Sequence, residues 1–163
     1  NDNNLPAAVG RLEAEIFEHV TIGGNAFYNP KSEGTRPTRL VSDQIGYGAD
    51  LLAHALGFTA LVGFVGKSTS SPGTALSAES AIGILGQLHY LNQKTGIGGA
   101  IRFALFDPNN KDPADDVSEL ALMLSLTLKN APLRVLLQYT HREEAPGVSV
   151  ANDGLDAMLQ VTW

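Results

Sequence analysis

The side chains able to do chemistry fall into three groups: four histidines, one run of acids and amides, and charged residues set two apart among apolar ones. His19, His54, His89 and His141 are far apart in the chain and include no His-x-x-x-His spacing, so no metal site is expected from them. Asp107, Asp112, Asp115 and Asp116, with Asn109 and Asn110, offer oxygen ligands of the kind calcium takes. They lack the EF-hand spacing and its terminal glutamate, so an exposed acidic loop is the expectation. There is no Gly-x-Ser-x-Gly elbow, no Gly-x-Gly-x-x-Gly turn and no cysteine. No catalytic constellation is visible; the expectation is no enzyme, no cofactor and no resident metal.

The third group is the informative one. Between Glu119 and Lys129 five leucines, Leu120, Leu122, Leu124, Leu126 and Leu128, take every second position. A helix would scatter them around its circumference, whereas a strand puts all five on one face. Leucine and alanine favour helices, but here the period outweighs the propensity. The same alternation recurs. Leu133, Val135, Leu137 and Tyr139 oppose Arg134, Leu136, Gln138 and Thr140, and Ala157, Leu159, Val161 and Trp163 oppose Asp156, Met158, Gln160 and Thr162. Ile97 to Leu105 and Ile82 to Tyr90 read alike, as do Phe58 to Val65, Ala49 to Ala55 and a first pair over Leu12 to Ile16 and Val20 to Tyr28. About nine antiparallel strands are predicted.

Tight reversals at Glu18-His19, Gly57, Asn92 to Gly96 and Lys129 to Pro132 alternate with longer connections over Asn29 to Ser42, Gly66 to Ala78, Asp107 to Ser118 and Arg142 to Gly154. A soluble sandwich gives no reason for that strict order, but a transmembrane barrel has short turns on one side and long loops on the other. Composition agrees. A chain 44% hydrophobic and 17% charged has the apolar surface to order itself. Its net charge of −6 excludes a general nucleic-acid binder. The longest apolar stretch, Leu51 to Val65, is broken by His54, Gly57 and Gly63 and falls short of the roughly 20 residues a spanning helix needs. Residues 1–10 read as a tail, and the absence of an initiator Met or a basic-then-apolar leader reads as a mature chain or a fragment.

At Gly48-Ala49-Asp50-Leu51-Leu52 leading to Gly57-Phe58-Thr59, at Gln87 to Leu91, and at Ala100-Ile101-Arg102-Phe103 running into Phe106-Asp107-Pro108, the chain resembles the C-terminal part of Gram-negative outer-membrane porins, most nearly the phosphate-selective porin O and P family. The ending Leu155 to Trp163 agrees. Family members carry a tyrosine after the arginine and a glutamate where this chain has Gly63. The resemblance implies a water-filled barrel of roughly sixteen strands, of which this chain supplies about half. It implies an outer-membrane location, passive diffusion of small hydrophilic solutes including anions such as phosphate, and homotrimers. It also implies lipid and lipopolysaccharide around the barrel, and a terminal assembly signal at Leu159, Val161 and Trp163 for the barrel assembly machinery.

On that reading Arg102, Arg134, Lys129, Asp50, Glu119, Asp156, Gln138 and His54 are the pore-lining candidates, with Glu13 and Glu15 on the same side. Arg102 and Arg134 either form one side of an anion path or pair with neighbouring carboxylates. His54 and His89 read as lumen-facing or turn-adjacent. Tyr28, Tyr47, Tyr90 and Tyr139 are candidates for aromatic girdles. Two other readings stay open: a non-conducting barrel that scaffolds an envelope complex, and a soluble α/β or α+β domain with helices over Leu51 to Val65, Ala78 to Asn92 and Ser118 to Leu128.

Overall fold

The computed structural model describes residues 6–33, 40–70, 79–109, 111, 115–128, 133–144 and 152–161. Alternation wins over propensity throughout. The chain forms β1 (Ala8–Phe17), β2 (Val20–Glu33), β3 (Leu40–Ala55), β4 (Phe58–Ser70), β5 (Glu79–Leu91), β6 (Ile97–Asp107), β7 (Val117–Leu128), β8 (Leu133–Glu144) and β9 (Gly154–Val161). The three segments that could have been helices are β3 with β4, β5 and β7, so the α/β alternative is overturned. In β7 the reason is direct: Leu120, Leu122, Leu124 and Leu126 face Phe103, Ile101, Gly99 and Ile97 of β6 on one side of the sheet, and Leu128 faces Leu133 of β8 on the same side. A helix could present only part of that stripe.

Each strand is antiparallel to its chain neighbours, and the order in the single sheet is β1 to β9 without crossover. β1 and β9 are the edges and do not touch, so the sheet is open. Strands outrun their apolar stretches at the long-loop end. β2 continues through Pro30 to Glu33 and β3 begins at Leu40, where a loop over Asn29 to Ser42 was expected. Pro30 is tolerated because pairing with β1 ends at Tyr28, leaving β2 with a neighbour on one side only at that level. β4 likewise runs on to Ser70 through Lys67, Ser68 and Thr69, and β1 starts at Ala8, inside the expected tail.

Pairing is staggered in one direction. β3 pairs with β4 only from Asp43 onward, and β5 with β6 only from Ile82. At the other end Leu91 of β5 and Leu128 of β7 extend past the starts of β4 and β6. Cumulative stagger of this kind is what tilts strands against a barrel axis.

Among the described residues no second layer covers the sheet. Among the described residues the buried core consists of Ala121, with Ser125 the one buried polar residue. The accessible surface is 11466 Å². A compact globular chain of this mass would expose about 7,800 Å². Both broad faces are bare, and what each is made of becomes the functional question.

Candidate functional site

Antiparallel partners share a face, so the register sorts every side chain onto one side or the other. One face is apolar. On β5 it runs Ile82, Ile84, Gly86, Leu88, Tyr90; on β6 Ile97, Gly99, Ile101, Phe103, Leu105; on β7 the five leucines; on β8 Leu133, Val135, Leu137, Tyr139. From Leu120 to Leu128 is eight steps, about 27 Å along the strand and about 20 Å when tilted, close to the roughly 25 Å apolar band of an outer-membrane barrel. At the loop end polar residues close the stripe on the same face: Asp43, Ser68, Ser80, Asp107, Ser118, His141 and Glu143.

All four tyrosines lie on this face near its two borders. At the loop end Tyr28 donates from its hydroxyl to Asp43 Oδ1 at 2.9 Å and Tyr139 to Asp153 Oδ2 at 3.0 Å. Tyr47 packs near Phe64 with ring centroids 5.9 Å apart. At the turn end Phe58 and Tyr90 stand 4.6 Å apart. Rings on apolar surface with hydroxyls reaching polar groups are the arrangement expected where apolar and wet surroundings meet.

The opposite face carries the charges. Asp50, His54, Arg102, Glu119, Arg134, Gln138 and Asp156 all lie there, with Arg11, Glu13 and Glu15. Lys129 and Trp163 lie outside the described residues, while Leu159 and Val161 are on the apolar face of β9. Two ion clusters organise the polar face. Arg11 grips Asp50 with both terminal nitrogens, at 2.7 and 2.9 Å, from two strands away. The intervening residue on β2 is Gly23, and a Cβ there would fall 2.7 Å from both Asp50 oxygens, so only glycine lets the pair close. In the second cluster Glu119 accepts from Arg102 at 2.5 Å and from Arg142 at 2.6 Å, one carboxylate between two guanidiniums. Arg102 and Asp50 are therefore salt-bridged, whereas Nε of Arg134 is buried with no hydrogen-bond partner. Apolar side chains share this face: Leu52 opposite Leu61, Leu85 opposite Ala104, and Phe106 opposite Gly83.

The histidines are redistributed by the fold. His54 N donates to His19 O at 3.0 Å, and the two rings meet edge to face at 5.2 Å. His54, Thr59 and His89 are successive members of one register row, and a cavity of about 540 Å³ at the turn end is lined by His19, His54, His89, Thr59 and Gln93. Sequence reading kept these histidines apart because their spacing matches no local ligand pattern. Counting from the reversals at Glu18-His19, Leu56-Gly57 and Asn92 to Gly96 is the signal that places them on one level.

His141 lies at the other end, at the border of the apolar stripe opposite Leu120. Its Nδ1 is 2.6 Å from Asp153 Oδ1 and its Nε2 3.3 Å from Glu143 Oε1. Hydrogen bonds to Asp153 and then Glu143 raise its pKa, and the bonds from His141 and Tyr139 hold Asp153 below its usual value. This clasp ties β8 to the start of β9. In the acidic run, carboxylate oxygens of Asp107, Asp115 and Asp116 lie within 4.8 Å of one another; Asp112 and Asn110 are outside the described residues. Of the three, Asp107 and Asp115 are half-buried and Asp116 is exposed.

The arrangement thus defines a class: a single-layer, nine-stranded antiparallel sheet with one apolar and one charged face. No family model, no curated protein and no solved structure matches the chain.

Proposed function

We propose that this sheet is part of the wall of a transmembrane β-barrel in the outer membrane of a Gram-negative bacterium, a porin-like channel for passive diffusion of small hydrophilic solutes, anions such as phosphate among them. The observation that carries the reading is the uninterrupted, uncovered apolar stripe, bordered by tyrosines and polar residues and backed by a face of fixed charges. Lipid is the surrounding that leaves such a stripe stable, and a water-filled lumen is the one that solvates Arg11, Asp50, Arg102 and Glu119 on the reverse. In this reading lipopolysaccharide surrounds the barrel, three copies associate, and the C-terminal residues through Trp163 are presented to the assembly machinery.

Closure constrains the rest of the barrel. β1 and β9 run the same way, so they cannot pair antiparallel with one another. An even, all-antiparallel barrel requires an odd number of further strands between these edges, which accords with this chain being about half of a sixteen-stranded wall. Selectivity follows the sign of the lumenal groups. Replacing Arg102 and Arg134 by glutamate leaves Glu119 without one of its two cations and turns the Arg134 position anionic. In planar bilayers under a salt gradient, the reversal potential of the native protein should shift toward cations in this double variant; an unchanged potential would refute the assignment of these residues.

Leu52, Leu61, Leu85 and Phe106 on the charged face favour a second reading, a narrow or filled barrel that scaffolds other envelope components. Absence of any stable conductance from folded, bilayer-inserted protein would select it.

A further inference from the structure

We propose that His19 and His54, with His89 facing them across the same cavity, form a binding site for a divalent late transition-metal ion, Cu²⁺, Ni²⁺ or Zn²⁺, at the turn end of the charged face. The site depends only on the β2–β3–β4–β5 pairing, not on whether that face lines a pore.

A metal–imidazole bond of about 2.0–2.1 Å plus a ring radius of about 1.1 Å puts each ring centroid about 3.2 Å from a shared ion, so a tetrahedral angle separates the two centroids by about 5.2 Å. The rings of His19 and His54 stand 5.2 Å apart. The backbone bond from His54 N to His19 O fixes the two residues opposite each other, and binding has to turn the rings, whose planes stand 63° apart, until one nitrogen of each meets the ion. His89 stands two strands beyond His54, too far to join the same first coordination sphere directly. Its Nε2 is buried and has no hydrogen-bond partner, and it lines the same cavity, which has room for the water molecules that complete a two-histidine coordination shell. A water on the ion can hydrogen-bond to that nitrogen, a role that orients a ligand without contacting the metal. The donor set contains no thiolate and, among the described lining residues, no carboxylate. Imidazole and water select late first-row ions over Ca²⁺ and Mg²⁺; the tetrahedral spacing is that of Zn²⁺, whereas Cu²⁺ and Ni²⁺, which prefer tetragonal geometry but bind such donors strongly, must draw cis rings to about 4.5 Å.

The test is Cu²⁺ and Ni²⁺ titration of the native polypeptide purified in detergent micelles, read by calorimetry and by electron paramagnetic resonance of the copper form. One saturable equivalent is expected, with two-imidazole nitrogen splitting. His19→Ala and His54→Ala should each weaken binding at least tenfold and leave a one-imidazole spectrum; His89→Ala should weaken it several-fold with the two-nitrogen spectrum intact. His141→Ala, at the opposite end, should change nothing. An all-oxygen copper spectrum, no saturable binding, or equal affinity in His54→Ala would overturn the proposal. If a variant loses strand circular dichroism, the wild-type copper spectrum decides alone: two nitrogens support the site and any other count refutes it.

Discussion

At the scale of single residues, the least comfortable backbone in the sheet is at the β3–β4 turn. Leu56 sits at φ 52° and is 95% exposed, followed by Gly57 at φ 86°. Both central residues of such a two-residue hairpin need positive φ, which glycine accepts and leucine does not. The left-handed conformation costs an ordinary residue about 1–2 kcal/mol. Leu56→Asn should therefore raise unfolding stability by about 1 kcal/mol, measured by urea titration of the detergent-folded protein, because asparagine tolerates this region and little burial is lost. A lower stability would mean that Leu56 is covered by something in the assembled protein. The His141 clasp gives a pH signature at the same scale. His141 has a raised pKa, so its contribution is complete below its unfolded value near 6.5 and fades as pH rises through the folded one. Asp153 has a lowered pKa, so its contribution is complete above about 3.8 and is lost as pH falls through the folded value. The facing groups are Glu143, Tyr139 and, across β7, Leu120. Amide exchange in β9 of the wild type relative to His141→Ala should be slowed most between about pH 4 and 6.5. A pH-independent ratio would exclude the clasp. Turn-level details of this kind were only partly legible in the sequence: Gly57 announced the reversal, but nothing in the spelling of Leu56 announced its strain, and Asp153 carries no mark of its partner.

At the scale of elements, strand existence was legible and strand extent was not. Five leucines at period two fix β7 because no helix can use them all, and Arg102, Glu119 and Gln138 follow onto the opposite face from parity alone. Extent fails where alternation stops: Lys67, Ser68, Thr69 and Ser70 still pair with Gly46 to Asp43 by backbone bonds, which no side-chain pattern reports. Cross-strand chemistry is likewise invisible until register is known. Arg11 and Asp50 are 39 residues apart, and only Gly23 between them lets them meet. Register also seats Phe27 over Gly46, whose Cβ would stand inside the ring. Such a ring covers backbone that a glycine leaves bare and pins the pairing of its strands. Gly46→Val should cost about 1–3 kcal/mol by forcing the ring aside. Phe27→Ala should relieve most of that, so the double variant should be clearly less destabilised than the sum of the singles. Additive effects in a double-mutant cycle would show that the ring and the glycine do not act as a unit.

At the scale of the whole molecule, the decisive quantities are the missing core and the two unpaired edges. A sheet exposing 11466 Å² with Ala121 as its buried hydrophobic residue cannot be stable in water as a lone layer. Among the described residues β1 and β9 are the strands left without a partner along one whole edge, and their side chains are exposed on both faces. Open edges recruit strands. In the proposed membrane wall, copies cannot fill them well: pairing β9 of one copy with β1 of another in the same orientation is parallel, and pairing like edges antiparallel inverts one copy across the bilayer. Strands of another sequence segment fit without either cost. On the proposed barrel reading, the native polypeptide should be extracted from outer membranes in mild detergent with an intact mass well above 17.2 kDa and migrate faster on a gel before heating than after, as closed barrels do. The 163-residue segment produced alone should give no heat-sensitive fast form and should aggregate through β1 and β9. Recovery of a monomeric, water-soluble chain of 17.2 kDa would refute the barrel, since the apolar stripe would then have found a partner within the chain that this sheet does not contain.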